Sequence, residues 1–151
     1  MTTIRAFITT VALLGTSRLL AQGNLQRQGQ ESPTAGRPGV MEKRFAFTQD
    51  VQAGDCWLQA GSSIVFRSDG SGHWDAKTKT TFTHSKDYWH EVVQAFSTGN
   101  TFLFATQEMT SPPMDSPNAV PPSYWYYWGN DFYFDKNQYP LIDHVLSHAA
   151  C

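Results

Sequence analysis

The chain has 151 residues, 40% hydrophobic and 14% aromatic, with 11 Lys and Arg against 13 Asp and Glu and a formal net charge of -2. That is one domain's worth of chain with enough apolar material for a core, which excludes a protein disordered throughout. The charge balance, with no basic stripe or Arg-rich segment, also argues against a partner held by its phosphates, so no nucleic acid is expected.

At the N-terminus a cation, Arg5, precedes the apolar run Ala6 to Leu14, and the small residues Gly15, Ser17 and Ala21 follow. The run is too short to span a bilayer and has the length of a secretory h-region. The pattern predicts a signal peptide over 1–21 and a secreted, extracellular protein without a membrane span; the alternative is a buried N-terminal helix or strand. Loss of Arg5 and Arg18 with such a peptide would bring the net charge near -4. Residues 22–43, "QGNLQRQGQESPTAGRPGVMEK", are rich in Gln, Gly and Pro and poor in large apolar groups, so a flexible leader or propeptide is expected there. Lys43 and Arg44 form a dibasic pair that a secretory-pathway protease could cut, leaving a single β domain over 44–151.

Punctuation from Phe45 onward is that of an all-β protein, with short apolar or aromatic runs separated by Gly, Asp and Asn at intervals of about ten residues. Strands are expected near Arg44 to Thr48, Cys56 to Gln59, Ser62 to Arg67, His73 to Phe82, Tyr88 to Phe96, Thr101 to Gln107, Tyr124 to Trp128 and Phe132 to Phe134. Within His73 to Phe82, one side carries Trp74, Ala76, Thr78, Thr80 and Phe82 and faces the core; His73, Asp75, Lys77 and Lys79 share the other and face water. For Phe66 and Ile64 to lie opposite Trp74 and Ala76, the hairpin through Asp69, Gly70 and Ser71 must have an odd loop of three or five residues. The fold expected is a small antiparallel meander barrel or a two-sheet sandwich, with a short C-terminal helical turn opened by Pro140 and packed through Leu141, Ile142, Val145 and Leu146.

Two cysteines, Cys56 and Cys151, read as one disulfide in an exported chain. The alternative, a thiol nucleophile, lacks a neighbouring His or Lys at Cys56.

"SYWYYWGNDFYF", residues 123–134, holds an aromatic ring at eight of twelve positions, on both parities. Trp125 and Tyr127 face one way, and Tyr124, Tyr126 and Trp128 the other, so one set can fill the core while the other meets a ligand by stacking plus a polar handle. The competing reading places both sets in the core of a two-layer domain. The preceding "TSPPMDSPNAVPPS", with five of the eight prolines, predicts a long extended surface loop, either a rim beside the aromatics or a plain crossover.

"HSKDYWHE", His84 to Glu91, is the densest polar cluster. His84 and His90 share a side, Asp87 could orient an imidazole, and His73 and Asp75 could join them across the hairpin; no metal-ligand spacing is present, and Asp87 more simply caps a turn. Glu91 shares its side with Trp89, Val93 and Ala95. Buried there, its pKa would rise and it could donate a proton; charged groups are seldom buried without partners, which favours an outward Glu91 acting as a salt-bridge partner. His90 and Glu91 are thus the only catalytic candidates. No hydrolase triad, phosphate loop or Cys-x-x-Cys is present, and neither a cofactor nor a metal is expected.

Gly54-Asp55-Cys56, Asp69-Gly70-x-Gly72-x-Trp74-x-Ala76, Asp87-x-Trp89 and the apolar "YPLIDHV" before a terminal cysteine resemble a family of small secreted microbial proteins catalogued as a domain of unknown function. The resemblance covers Phe45 to Cys151 and implies a secreted, disulfide-tied β domain; it carries no activity to transfer. The meander is also similar to calycin-like barrels by analogy of fold, although Trp57 after Gly54-Asp55-Cys56 departs from the lipocalin Gly-x-Trp signature. The function expected is binding of a small hydrophobic or carbohydrate ligand at an aromatic-lined pocket or face formed by Trp74, Trp89, Tyr124, Trp125, Tyr126, Tyr127 and Trp128. The alternatives are a cofactor-independent cyclase or isomerase of an apolar substrate using Glu91 or His90, and a secreted effector or inhibitor acting through protein contact.

Overall fold

The computed structural model describes residues 21–25, 31–81, 86–115 and 124–151, with side chains from 31 onward. The described chain forms two antiparallel sheets facing each other across one core, one of them curled into a half-barrel. One sheet contains β1 (Ala21–Leu25), β12 (His144–Ala150), β8 (His90–Ser97), and, side by side along the far edge of β8, β9 (Thr101–Ala105) and β10 (Met109–Thr110). The other contains β2 (Glu31–Pro33), β3 (Met41–Ala46), β6 (Ser63–Arg67), β7 (Ser71–Thr80), β5 (Cys56–Leu58), β4 (Val51–Ala53) and β11 (Tyr126–Tyr133). Both β6 and β5 pair along one side of the ten-residue β7, so β11 takes its other side and becomes a sheet edge.

The β6–β7 hairpin turns through three residues, Ser68 to Gly70, as the odd-loop argument requires. Gly70 has φ +88°, a left-handed conformation that glycine adopts without penalty, and its N–H donates to the Arg67 carbonyl at 3.0 Å. The loop begins one residue earlier than expected, so Ile64 lies opposite Trp74 and Phe66 opposite Gly72, two residues from the expected pairing of Phe66 with Trp74 and Ile64 with Ala76, while the shared inward side is kept. Gly72 has no side chain because the Phe132 ring occupies its place: a Cβ there would lie 2.1 Å from that ring. Phe66 is the hub of the aromatic core, edge-on to Phe45, Phe104, Phe132 and Phe134 at 5.5–5.9 Å between centroids.

Several elements differ from the sequence expectation. The Gln/Gly/Pro-rich stretch 22–43 supplies β1, β2 and the first residues of β3. Glu31 accepts a hydrogen bond from the buried Tyr139 hydroxyl at 3.0 Å. Lys43 points inward and donates to the carbonyls of Tyr139, Pro140 and Ile142 at 3.2, 3.3 and 2.8 Å. The C-terminal helical turn exists as a 3-10 helix, Lys136–Leu141, but Asp135 caps it and Pro140 lies inside it. Val145 and Leu146 belong instead to β12, where Val145, Ser147 and Ala149 alternate inward between β1 and β8. The two aromatic strands expected around Gly129 are one strand. Gly129 passes too close to β7 for any side chain, with a Cβ 2.8 Å from the Trp74 carbonyl oxygen and 3.0 Å from the His73 ring, so Gly-Asn-Asp here marks close approach and not a turn. In the Pro-rich segment Ser111 and Met114 are buried, and Met114 bridges to Asp87; residues 116–123 lie outside the described residues.

Cys56 and Cys151 form the disulfide, closing a 95-residue separation with Cα atoms 5.7 Å apart and tying the end of the chain to the second sheet. No helix among the described residues is long and apolar enough to cross a membrane.

Candidate functional site

Alternation along β11 and β7 sorts the aromatic segment into two populations. Tyr126, Trp128 and Phe132 turn inward, and the Trp128 indole N–H donates to Thr78 Oγ1 at 3.1 Å. Trp125, Tyr127 and Tyr133 turn outward, Tyr127 being 72% exposed. Register places Tyr127 directly beside Lys77, and Trp57 on β5 directly beside Lys79. The outcome is a row across the outer sheet face, Trp57–Lys79–Trp125–Lys77–Tyr127, in which cations and rings alternate. Lys79 Nζ lies 4.4 Å from the Trp125 ring centroid and 6.0 Å from that of Trp57; Lys77 Nζ lies 4.6 Å from Tyr127 and 5.8 Å from Trp125. Among the described residues neither lysine has a carboxylate within ion-pair distance. Two ammonium groups lie over ring faces with no ion-pair partner among the described residues, which suits a guest with flat apolar patches and acidic groups.

The other residues expected to bind ligand are placed differently. Trp74 and Trp89 are wholly enclosed in the core and Trp128 nearly so, so none of the three offers a surface. Tyr124 is exposed and sits edge-on to Tyr126 at 5.1 Å, on the opposite side of the strand from Trp125. Sequence reasoning missed Trp57, Lys77 and Lys79 as site residues. The signal was available in the alternate lysines of "DAKTK", which place two cations on the same outward side as Trp125 and Tyr127.

A family model described as a family of unknown function (DUF6294) matches residues 63–151, more than half of the chain. The chain belongs to the DUF6294 family. The matched region contains β6 to β12, and with them Lys77, Lys79, Trp125 and Tyr127, but not Trp57. No curated protein and no solved structure matches the chain.

In this DUF6294 member the two catalytic candidates point to opposite sides of β8. His90 faces outward, its Nδ1 2.9 Å from Glu108 Oε1 and 3.3 Å from Thr110 Oγ1. Glu91 corrects the expectation of an outward salt-bridge partner: it is 0% exposed, between Trp89 and Ser147. Its Oε2 accepts from the Trp89 indole N–H at 3.0 Å and its Oε1 from the Ser147 hydroxyl at 2.5 Å. These neutral donors make burial tolerable without a cation. Burial pushes the carboxyl from its ordinary 4.5 up to about 7, while hydrogen bonds from Ser147, Trp89 and the His148 backbone oppose the rise.

His84 lies outside the described residues. Asp87 accepts from Thr80 Oγ1 at 2.6 Å. Its carboxylate, Cys56 and Cys151 have ligand atoms within 4.8 Å of one another, but both sulfurs are committed to the disulfide, so the trio is no thiolate metal site. His73 and Asp75 face outward as expected, and His73 Nδ1 meets Asp131 Oδ1 at 2.7 Å.

Proposed function

We propose that this protein is a secreted, non-enzymatic binding domain whose outer sheet face takes an extended carbohydrate carrying acidic groups. The observation that carries this reading is the row of Trp57, Lys79, Trp125, Lys77 and Tyr127. Sugar rings present flat C–H faces that stack on Trp and Tyr, and carboxylates or sulfates along the chain meet the two ammonium groups between the rings. A row on an open sheet suits a linear ligand better than a small enclosed one. The apolar run behind Arg5 and the Cys56–Cys151 disulfide support export.

The burial of Glu91 weighs against the cyclase or isomerase reading. Its oxygens are engaged within the packed core, and neither it nor His90 lines the groove of about 430 Å³ between the sheets.

The test is isothermal titration of a uronic-acid oligosaccharide and of its neutral counterpart into the wild type and into Trp125→Ala. The acidic glycan binds the wild type, and the variant loses about tenfold in affinity, the 1–2 kcal/mol of one stacked ring. Equal binding by the variant, or no binding of either glycan, overturns the reading.

A further inference from the structure

The two sheets part along one seam, where β9 and β10 of one face β11 of the other. Both borders are strand edges unpaired among the described residues. The Phe134 N–H donates to the Gly70 carbonyl at 2.9 Å, so even-numbered residues of β11 bond to β7 and the backbone groups of Tyr127, Gly129, Asp131 and Tyr133 point away from it. By the same parity, the Thr106 N–H donates to Val93 at 2.9 Å, leaving the backbone of Ala105 turned outward. Among the described residues no strand pairs with either border. Between them runs a groove of about 430 Å³ whose floor includes Phe104, Met109 and Phe132. Phe104 stacks on Phe134 at 5.0 Å beneath the seam, so the sheets are joined by side chains there and not by backbone.

We propose that this seam is a docking groove for an extended basic peptide segment of a partner protein, which adds a strand to a free edge, lays alternate apolar side chains on the Phe floor and directs its Lys or Arg side chains to the rims. Edge addition supplies the main-chain hydrogen bonds, and the floor supplies pockets at a strand's two-residue spacing. Charge selects the occupant. The rims carry the carboxylates of Glu108 and Asp131, 56% and 76% exposed, and no lining residue is Lys or Arg. His90 and His73 face these carboxylates at 2.9 and 2.7 Å. A second copy of β11 would bring its own Asp131 to the same seam, so self-pairing sets like charges together and a cationic partner does not.

The probe is a fluorescent, end-capped eight-residue peptide of alternating Lys and Val, followed by anisotropy. Two further peptides are N-methylated, one on every Val and one on every Lys. The unmodified peptide binds, and at least one methylated form, having lost the N–H groups on one strand edge, weakens tenfold or more. The Glu108→Gln/Asp131→Asn pair weakens binding about tenfold and flattens its salt dependence, since it removes both charges while leaving the backbone intact. Tyr133→Pro, which removes one outward N–H, also weakens it, with its thermal melt as the control for folding. Trp125→Ala leaves binding unchanged, which separates this groove from the glycan face. Equal affinity for a Glu-Val peptide, indifference to both methylations, no binding by the wild type, or a self-associated dimer that excludes the peptide would overturn the proposal.

Discussion

Replacement of Glu91 by Gln removes a carboxyl that is wholly buried in the core, and its effect should depend on pH in a calculable way. The folded-state pKa, about 7, stands above the unfolded value near 4.5, so the carboxyl's favourable contribution is complete below pH 4.5 and is lost as pH rises through 7. Over that window the wild type loses about 3 kcal/mol that the variant does not. Gln keeps most of the local pattern: its carbonyl accepts from the Trp89 indole, and its amide donates to Ser147 once that hydroxyl turns. Near pH 4.5 the two proteins should therefore differ by no more than about 1 kcal/mol. By pH 8 the balance should have moved by about 3 kcal/mol in the variant's favour. Urea unfolding followed by tryptophan fluorescence at pH 4.5, 6 and 8 measures this, and the shared titrations of other groups cancel in the difference. A difference between variant and wild type that stays flat across this range would refute the assignment of a raised, desolvated carboxyl.

Three further outcomes follow from the packing. Cys56→Ser should cost up to about 5 kcal/mol, the loop entropy of a crosslink spanning 95 residues, measured as the urea midpoint against the oxidised wild type. Gly72→Ala should push the Phe132 ring away from Phe66 and cost about 1–3 kcal/mol, with an altered near-ultraviolet dichroism; an unchanged midpoint would mean that the ring moves aside freely. Lys43→Met should leave the carbonyls of Tyr139, Pro140 and Ile142 without their ammonium donor. The expected cost is about 1–3 kcal/mol, with hydrogen exchange quickened over 136–142.

What could be read from the sequence was what alternation and turn chemistry encode. The odd hairpin loop followed from the parity of Ile64, Phe66 and Trp74, and the disulfide from two cysteines in a chain expected to be exported. The sorting of Trp125 and Tyr127 from Tyr126 and Trp128 followed from strand period alone. Tertiary context decided the rest. β12 reads as a helical turn because its inward residues after Val145 are Ser147 and Ala149, which carry little apolar signal; Ser147 is there to bond Glu91. Glu91 itself is buried because its hydrogen-bond partners lie at residues 89 and 147, and the second is invisible to local reasoning. The stretch 31–43 looks unable to fold by composition, yet it borrows its partners from afar, Glu31 from Tyr139 and Lys43 from the carbonyls of the 3-10 helix. Trp57 joins the outer row only because β5 and β11 flank β7 on opposite sides.

On the proposed reading, the outer row binds an acidic glycan through rings and ammonium groups together. Replacing both cations, Lys77→Gln with Lys79→Gln, and titrating acidic and neutral oligosaccharides of equal length tests it most directly. The pair should abolish the preference for the acidic glycan and its salt dependence while weak stacking of both sugars persists. An undiminished acidic preference in the double variant would contradict it.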